Sequence, residues 1–542
     1  MEYFEYNLAM PLPRLLLILG LLSLFAAVEA VAVVSGSQEA DEGDYFQIEL
    51  PDQLRTNPEG LKSSSARVLL LLCENRGRYQ RTDPLDAPFL GRPQPIASIS
   101  AQKLFENPSL TLGDGVAGTT STPARFDQLE GDFNIRAVLD YGRSRGHYSP
   151  GNLISDIIPV TFVPNQSQSF TIPLREHIPE SERTDTTSLK WIDIKSETMT
   201  RAGYSARLRA GVVLPDEYHE TLADRRYWPT IYVIPGFGGT DSEAERYARL
   251  LSDSSAKGLI PQAVWIVLDP ESPLGHHGFV NSLNNGPWES ALIEEFIPWL
   301  EHRFRLVKNP EARIITGHSS GGWSSLWLQL QHPDVFGMCF SSSPDPVSFS
   351  HFGTVNLYRD ANLFADVDGK KRPSMRVWLR GEHSRVVLTV EDEISMEHAI
   401  SPNGTSGEQW AAWNAMFSAR DTSTGLPVMA YDELTGKIDH VVITNDWMPF
   451  DIVQMIKLNW PRYEPIFRNN VRVMCGDQDS FYLERAVKSL KRFVHNQQDE
   501  DGLGYIEILK NHDHNSIVPA IQERWYREMR QIIADAPLVN PK

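Results

Sequence analysis

The chain predicts an α/β fold preceded by an all-β domain, and three observations carry that expectation. Residues 313–330 read as a strand, a glycine-rich turn around Ser319, and a helix. Further short apolar runs at 229–234, 264–269, 338–341, 471–475 and 505–509 have the length and composition of buried sheet strands. Upstream, over residues 43–177, runs such as 68–72, 133–139 and 169–174 alternate with Gly, Pro, Asn and Asp clusters and show no helical period, the pattern of a sandwich of immunoglobulin-like type.

In chain order, Arg14 precedes an apolar run that reaches Ala27, and Val28-Glu29-Ala30 supplies small residues for cleavage, so residues 1–30 read as an export signal. Glu29 interrupts the run and leaves it short for a membrane span, so the mature protein is expected to be periplasmic or secreted, without a stable span. The β domain follows over 43–177. A charged linker over 178–188 leads to a catalytic region over 189–535. With 542 residues and a 41% hydrophobic share, two or three domains with real cores are expected. The formal charge of −19, two units of which sit in the leader as three Glu against Arg14, disfavours nucleic acid as a partner. Cys73, Cys339 and Cys475 are too few and odd in number for a disulfide framework, and read as small buried residues. No feature specifies an oligomeric state.

The turn Gly317-His318-Ser319-Ser320-Gly321-Gly322 has the Gly-x-Ser-x-Gly spacing of a nucleophile elbow, in which a sharp strand-to-helix turn lifts a serine hydroxyl clear of its neighbours. Trp323, Leu326, Trp327 and Leu330 then fall on one helix face, and His332-Pro333-Asp334 stops the helix. Ser319 is the candidate nucleophile.

Such a serine needs a base, and an acid to orient that base, in the order Ser, Asp, His. After the strand at 471–475 comes Gly476-Asp477-Gln478-Asp479; Asp479 is the first choice, with Asp477 and the earlier Asp345 as competitors. After the strand at 505–509, Asn511-His512-Asp513-His514 offers two bases. The oxyanion calls for backbone N–H donors: Ser320, and Phe237 in the loop Pro235-Gly236-Phe237-Gly238-Gly239, with Gly238 as the alternative.

Together these residues resemble the putative-esterase branch of the α/β-hydrolase superfamily, which includes enterochelin esterases, feruloyl and acetylxylan esterases, S-formylglutathione hydrolase and mycolyltransferases. The resemblance runs from about Leu189 to Ile533. It rests most on the elbow, then on 232–239 as the oxyanion loop, where Pro235 stands in place of a frequent histidine. It implies an α/β-hydrolase sheet, Asp479 as the acid of a Gly-x-x-Asp loop, and His514 as the base of an Asp-His pair.

The stretch between elbow and acid is longer than a sheet crossover needs, so an insertion over about 344–461 is expected near the site. Its Trp378, Trp410, Trp413, Phe417, Trp447 and Trp460 could grip a sugar or aryl group, but a buried aromatic core is the better reading. His276, His277 and Trp288 follow a strand end and are candidates for lining the substrate pocket. No His-x-x-x-His or Cys-x-x-Cys pattern accompanies the two histidines, so neither a metal nor any other cofactor is expected. The expected activity is hydrolysis of a small-molecule or glycan-linked ester, of carbohydrate, aryl or siderophore type. Acyl transfer by the same triad, or a non-catalytic binding protein on the same scaffold, are the alternatives.

Overall fold

The computed structural model describes residues 43–536 apart from 55–65, 88–91, 143–145, 221–225, 254–257, 380–382 and 498–501. The expected export signal lies outside the described residues. Contacts divide the chain into two compact units, one running to Gly142 and joined by Pro150–Pro179, the other formed by Glu180 onward with 143–149.

Among the described residues the first unit is built from nine mostly antiparallel strands, eight on one hydrogen-bonded path and the ninth, Ile158–Phe162, branching from strand Gly131–Asp140. The run at 133–139 becomes strand Gly131–Asp140, which pairs along its length with Arg67–Glu74. Phe46 packs edge-on against Phe162 of the branching strand, and both share one apolar core with Leu70, Leu72, Ile135 and Leu139. One short helix, Gln102–Glu106, departs from the all-β expectation.

The second unit is organised by an eight-stranded sheet: β1 Leu189–Lys195, β2 Arg207–Val213, β3 Thr230–Ile234, β4 Val264–Leu268, β5 Arg313–His318, β6 Met338–Ser342, β7 Val471–Gly476 and β8 Tyr505–Leu509. Their order in the sheet is 1-2-4-3-5-6-7-8, parallel from β4 onward, with β1 and β2 antiparallel at one edge. This is the α/β-hydrolase sheet. Its strands read as unbroken apolar runs because both faces are covered. Tyr232, Ile234, Ile266 and Ile315 belong to one core with the helices α2 Ile297–Phe304, α3 Ser320–Gln331 and α6 Glu484–Gln497; Ile231, Val233, Val267 and Ile314 belong to the opposite core with α1 Ala244–Ser252 and α7 Ile517–Asp535. The period-two alternation of the strands sorts the side chains.

α3 carries more burial than the single apolar stripe in its sequence implies. Every residue from Ser320 to Leu330 is buried. The reason is its place at the centre of the sheet, with the insertion packed over its outer side: Trp323 contacts Phe417, and Trp327 contacts Phe450.

Among the described residues no strand of the eight-stranded sheet intervenes between β6 and β7. The insertion holds a hairpin of Pro373–Val377 with Arg385–Thr389, and two helices, α4 Val390–Ile400 and α5 Gln409–Phe417. Trp410, Phe417 and Trp447 are buried in an aromatic cluster with Phe349 and Phe352, and this cluster is continuous with the main core. Trp460 packs partly buried against that core, and Trp378 is half-buried.

Candidate active site

β5, β7 and β8 are parallel neighbours or near neighbours, so the segments leaving their C-terminal ends converge at one edge of the sheet. Ser319 leaves β5, Asp479 leaves β7 and His514 leaves β8.

Ser319 sits at φ 58°, ψ −125°, a left-handed backbone that a non-glycine residue adopts at a cost and that marks a strained turn. The surrounding chain holds it there. Its N–H donates to the Ser342 carbonyl at 3.0 Å, and its own carbonyl accepts from Trp323 at 3.0 Å and Asp345 at 3.2 Å. The elbow needs its glycines because a methyl group on Gly317 would overlap the Gly321 carbonyl, and one on Gly321 would overlap the Ile234 carbonyl of β3.

His514 Nδ1 donates to Asp479 Oδ2 at 2.8 Å. A carboxylate acceptor fixes the proton on Nδ1 and leaves the Nε2 lone pair as the basic site. Both groups are buried, His514 at 5% exposure and Asp479 at 0%. Burial opposes both charges, but the pairing outweighs it: Asp479 is held below the usual carboxylate range by His514 and by the Phe481 N–H, and His514 is held above the usual histidine value by Asp479. His318 packs its ring 4.3 Å from that of His514; burial, then the neighbouring His514, takes it down to about 3, so it stays neutral. Phe481, 37% exposed, meets His514 edge-on at 4.9 Å. It is a site residue that the sequence reading did not single out, although it lies two residues beyond the acid.

The competing residues have other partners. Asp477 Oδ1 accepts the Asn511 N–H at 2.8 Å and so ties the loop of Asp479 to the loop of His514. The His512 carbonyl accepts from Gln478 at 3.0 Å, while its ring Nδ1 is buried without a partner. Asp345 lies at the elbow: Oδ2 accepts from Ser320 Oγ at 2.6 Å, Trp413 Nε1 at 2.9 Å and Gln409 Nε2 at 3.3 Å, and Oδ1 from Ser319 Oγ at 3.5 Å. No hydrogen bond joins Ser319 Oγ to His514 among the described residues.

Among the described residues neither the Ser320 N–H nor the Phe237 N–H has a backbone acceptor; Gly239 N–H, by contrast, closes the loop on the Gly236 carbonyl at 2.9 Å. A side chain on Gly236 would press on His318 and the Ser319 Cβ, so this loop lies directly against the elbow.

Beside Ser320 is a narrow pocket of about 10 Å³, room for about one water, with Trp323, Phe352, Trp413 and Phe417 in its walls together with Asp345 and His276. The expectation for the histidine segment divides here. His276 lines the pocket, but His277 and Trp288 do not: they stack face to face, centroids 3.8 Å apart and planes 5° apart, buried in the core. Adjacent residues of an extended segment point to opposite sides, so one histidine meets the pocket and the next meets the core. No group of three or more metal-ligating side chains occurs among the described residues, nor any helix long and apolar enough to cross a membrane.

Residues 204–430 match the family described as putative esterase, a span that contains the loop 235–239 and Ser319 and ends before Asp479. The esterase Rv1288 of Mycobacterium tuberculosis (strain ATCC 25618 / H37Rv) is 31% identical over 158 residues, 28% of this chain and 30% of that protein. An uncharacterized protein, YbbA of Bacillus subtilis (strain 168), is 25% identical over 154 residues, 25% of this chain and 56% of that protein. The chain thus spans 30% and 56% of the length of these relatives. Among solved structures, an S-formylglutathione hydrolase from Agrobacterium tumefaciens aligns over 65% of this chain and 98% of its own, with 15% identity and a TM-score of 0.35.

Proposed function

We propose, from the esterase-family match across the elbow and the buried Asp479–His514 pair, that the protein is an exported serine hydrolase that cleaves a carboxylic ester through an acyl-enzyme. Ser319 Oγ attacks the ester carbonyl while His514 Nε2 takes its proton, and Asp479 holds the imidazole and stabilises the imidazolium. The Ser320 and Phe237 N–H groups meet the oxyanion. Collapse breaks the bond to the alcohol, which leaves with the proton from His514, and water then repeats the sequence on the acyl-serine. The observation that carries this reading is the 2.8 Å contact between His514 and Asp479 beside the strained Ser319.

The step requires Ser319 Oγ to turn from Asp345 toward His514. Such bonds are often open in a resting enzyme and close with substrate bound. Export rests on the apolar leader before Ala30, and the N-terminal residue of protein recovered outside the cytoplasm tests it.

Hydrolysis of p-nitrophenyl butyrate tests the activity. The wild type should turn over, and Ser319→Ala and His514→Ala should each lose about 10⁴-fold or more. Equal rates in all three proteins would contradict the reading.

A further inference from the structure

In a chain of formal charge −19, one helix face is strongly basic. Arg485, Lys488, Lys491, Arg492 and His495 of α6 are all exposed. At about 3.6 residues per turn they share roughly a third of the helix circumference, opposite the buried Ala486, Val487, Leu490 and Val494. No Asp or Glu occurs from Arg485 to Gln497. Glu484, at the start of the helix, is already taken by Arg376 at 3.1 Å. None of the four Lys and Arg on this face is in an ion pair among the described residues.

The face begins beside the candidate active site. Phe481 meets His514, and its neighbour Tyr482 has the Arg485 guanidinium 5.1 Å from its ring centroid. From Arg485 the charges continue outward along about 15 Å of helix. The segment 349–353 also joins site to face: Phe352 lines the pocket beside Ser320, and Gly353 abuts the Phe481 carbonyl. Next to Phe352, His351 is held below its ordinary value by burial and then by Arg492, Arg485 and Lys457, so cations from α6 and from the helix Ile452–Leu458 converge on one turn. Beyond Lys457, the half-buried Trp460 and Phe493 pack edge to face at 5.3 Å.

A surface of one sign concentrates partners of the other. These cations are spread along a helix rather than gathered round a point, which matches a chain of negative charges better than a small anion. A lipid surface would require apolar side chains that enter it, and the exposed arc of α6 has none. The rings of Trp460 and Phe493 suit the apolar faces of sugars. We infer that α6, with His351 and Lys457, is the docking surface for an acidic polysaccharide that carries the ester to Ser319. This rests on the esterase reading above and narrows its substrate class.

Two polymers of matched ester content, acetylated polygalacturonate and acetylated dextran, test it by acetate release. At low salt the wild type should favour the polygalacturonate by about tenfold or more in kcat/KM. In Lys488→Glu/Arg492→Glu that ratio should fall toward one, whereas Lys195→Glu/Arg201→Glu, the same charge change at the β1 edge of the sheet, should keep most of it. A ratio near one in wild type, or equal losses in both double variants, would overturn the inference while leaving the esterase reading intact. If no ester of any kind is hydrolysed, the esterase reading itself fails, and calorimetric titration with unesterified polygalacturonate decides the surface alone. Binding that weakens about tenfold between about 0.05 and 0.5 M salt, and is lost in Lys488→Glu/Arg492→Glu, supports it. No binding to wild type overturns it, as does tighter binding to phosphatidylglycerol vesicles, which would assign the face to a membrane.

Discussion

His276 Nε2 lies 3.1 Å from the carbonyl oxygen of Pro235, so a histidine from one loop holds the first residue of another. His276 Nδ1 accepts the Gly278 N–H at 3.1 Å, which puts the ring proton on Nε2 and makes His276 the donor to Pro235. Burial takes His276 down to about 4, so the donor is neutral at ordinary pH. Pro235 opens the loop 235–239 that the proposed mechanism assigns to the oxyanion, and His276 reaches this loop from outside it.

Removing this tie should loosen the oxyanion loop without deleting a donor. His276→Phe is expected to lower kcat by about tenfold or more, less than the 10²–10³ typical for losing an oxyanion donor outright. His276→Gln, which can still donate, should recover part of the loss. Unchanged kcat in His276→Phe would show that the loop holds its own shape.

The pH profile should report His514. The base must be neutral, and Asp479 raises its pKa despite burial, so kcat/KM should climb with pH and level off only above the ordinary histidine value of 6.5. Asp479→Asn removes the anion that favours the imidazolium, so the rising limb should move to lower pH while activity falls by about 10⁴. A limb that stays in place would mean that another group titrates.

Gly321→Ala should damage the fold and the site together. Its methyl group would overlap the Ile234 carbonyl, an overpacking worth about 1–3 kcal/mol or more. Thermal melting should show a lower Tm, and ester hydrolysis should fall with it. A variant with wild-type Tm and activity would contradict the close approach of α3 to β3.

Glu397 accepts the Trp410 and Ala411 N–H groups, both at 2.9 Å, at the start of α5. Glu397→Ala leaves these buried donors unpaired at a cost of about 1–3 kcal/mol, read as a lower Tm. The same helix carries Gln409 and Trp413, which bind Asp345, so KM should rise more than kcat falls.

The sharp turn at Ser319 was legible because glycines stand at fixed offsets from one serine, with strand before and helix after. The partner of His514 was harder. Asp477 and Asp479 share a turn, and only the folded chain shows that one ties Asn511 while the other meets His514. Asp345 reads in sequence as one more carboxylate after a strand; its place against Ser319 and Ser320 depends on the β5–β6 register and on an insertion whose Trp413 comes from far along the chain. His277 and Trp288 misled because burial of an aromatic pair and lining of a pocket leave the same residue types in sequence.

The most direct measurement is labelling with a fluorophosphonate probe followed by mass-spectrometric mapping, in wild type, Ser319→Ala and His514→Ala. An activated serine predicts modification at Ser319 in wild type and its loss in both variants. A folded wild type that stays unlabelled, or labelling that persists in His514→Ala, would contradict a nucleophile driven by the Asp479–His514 pair.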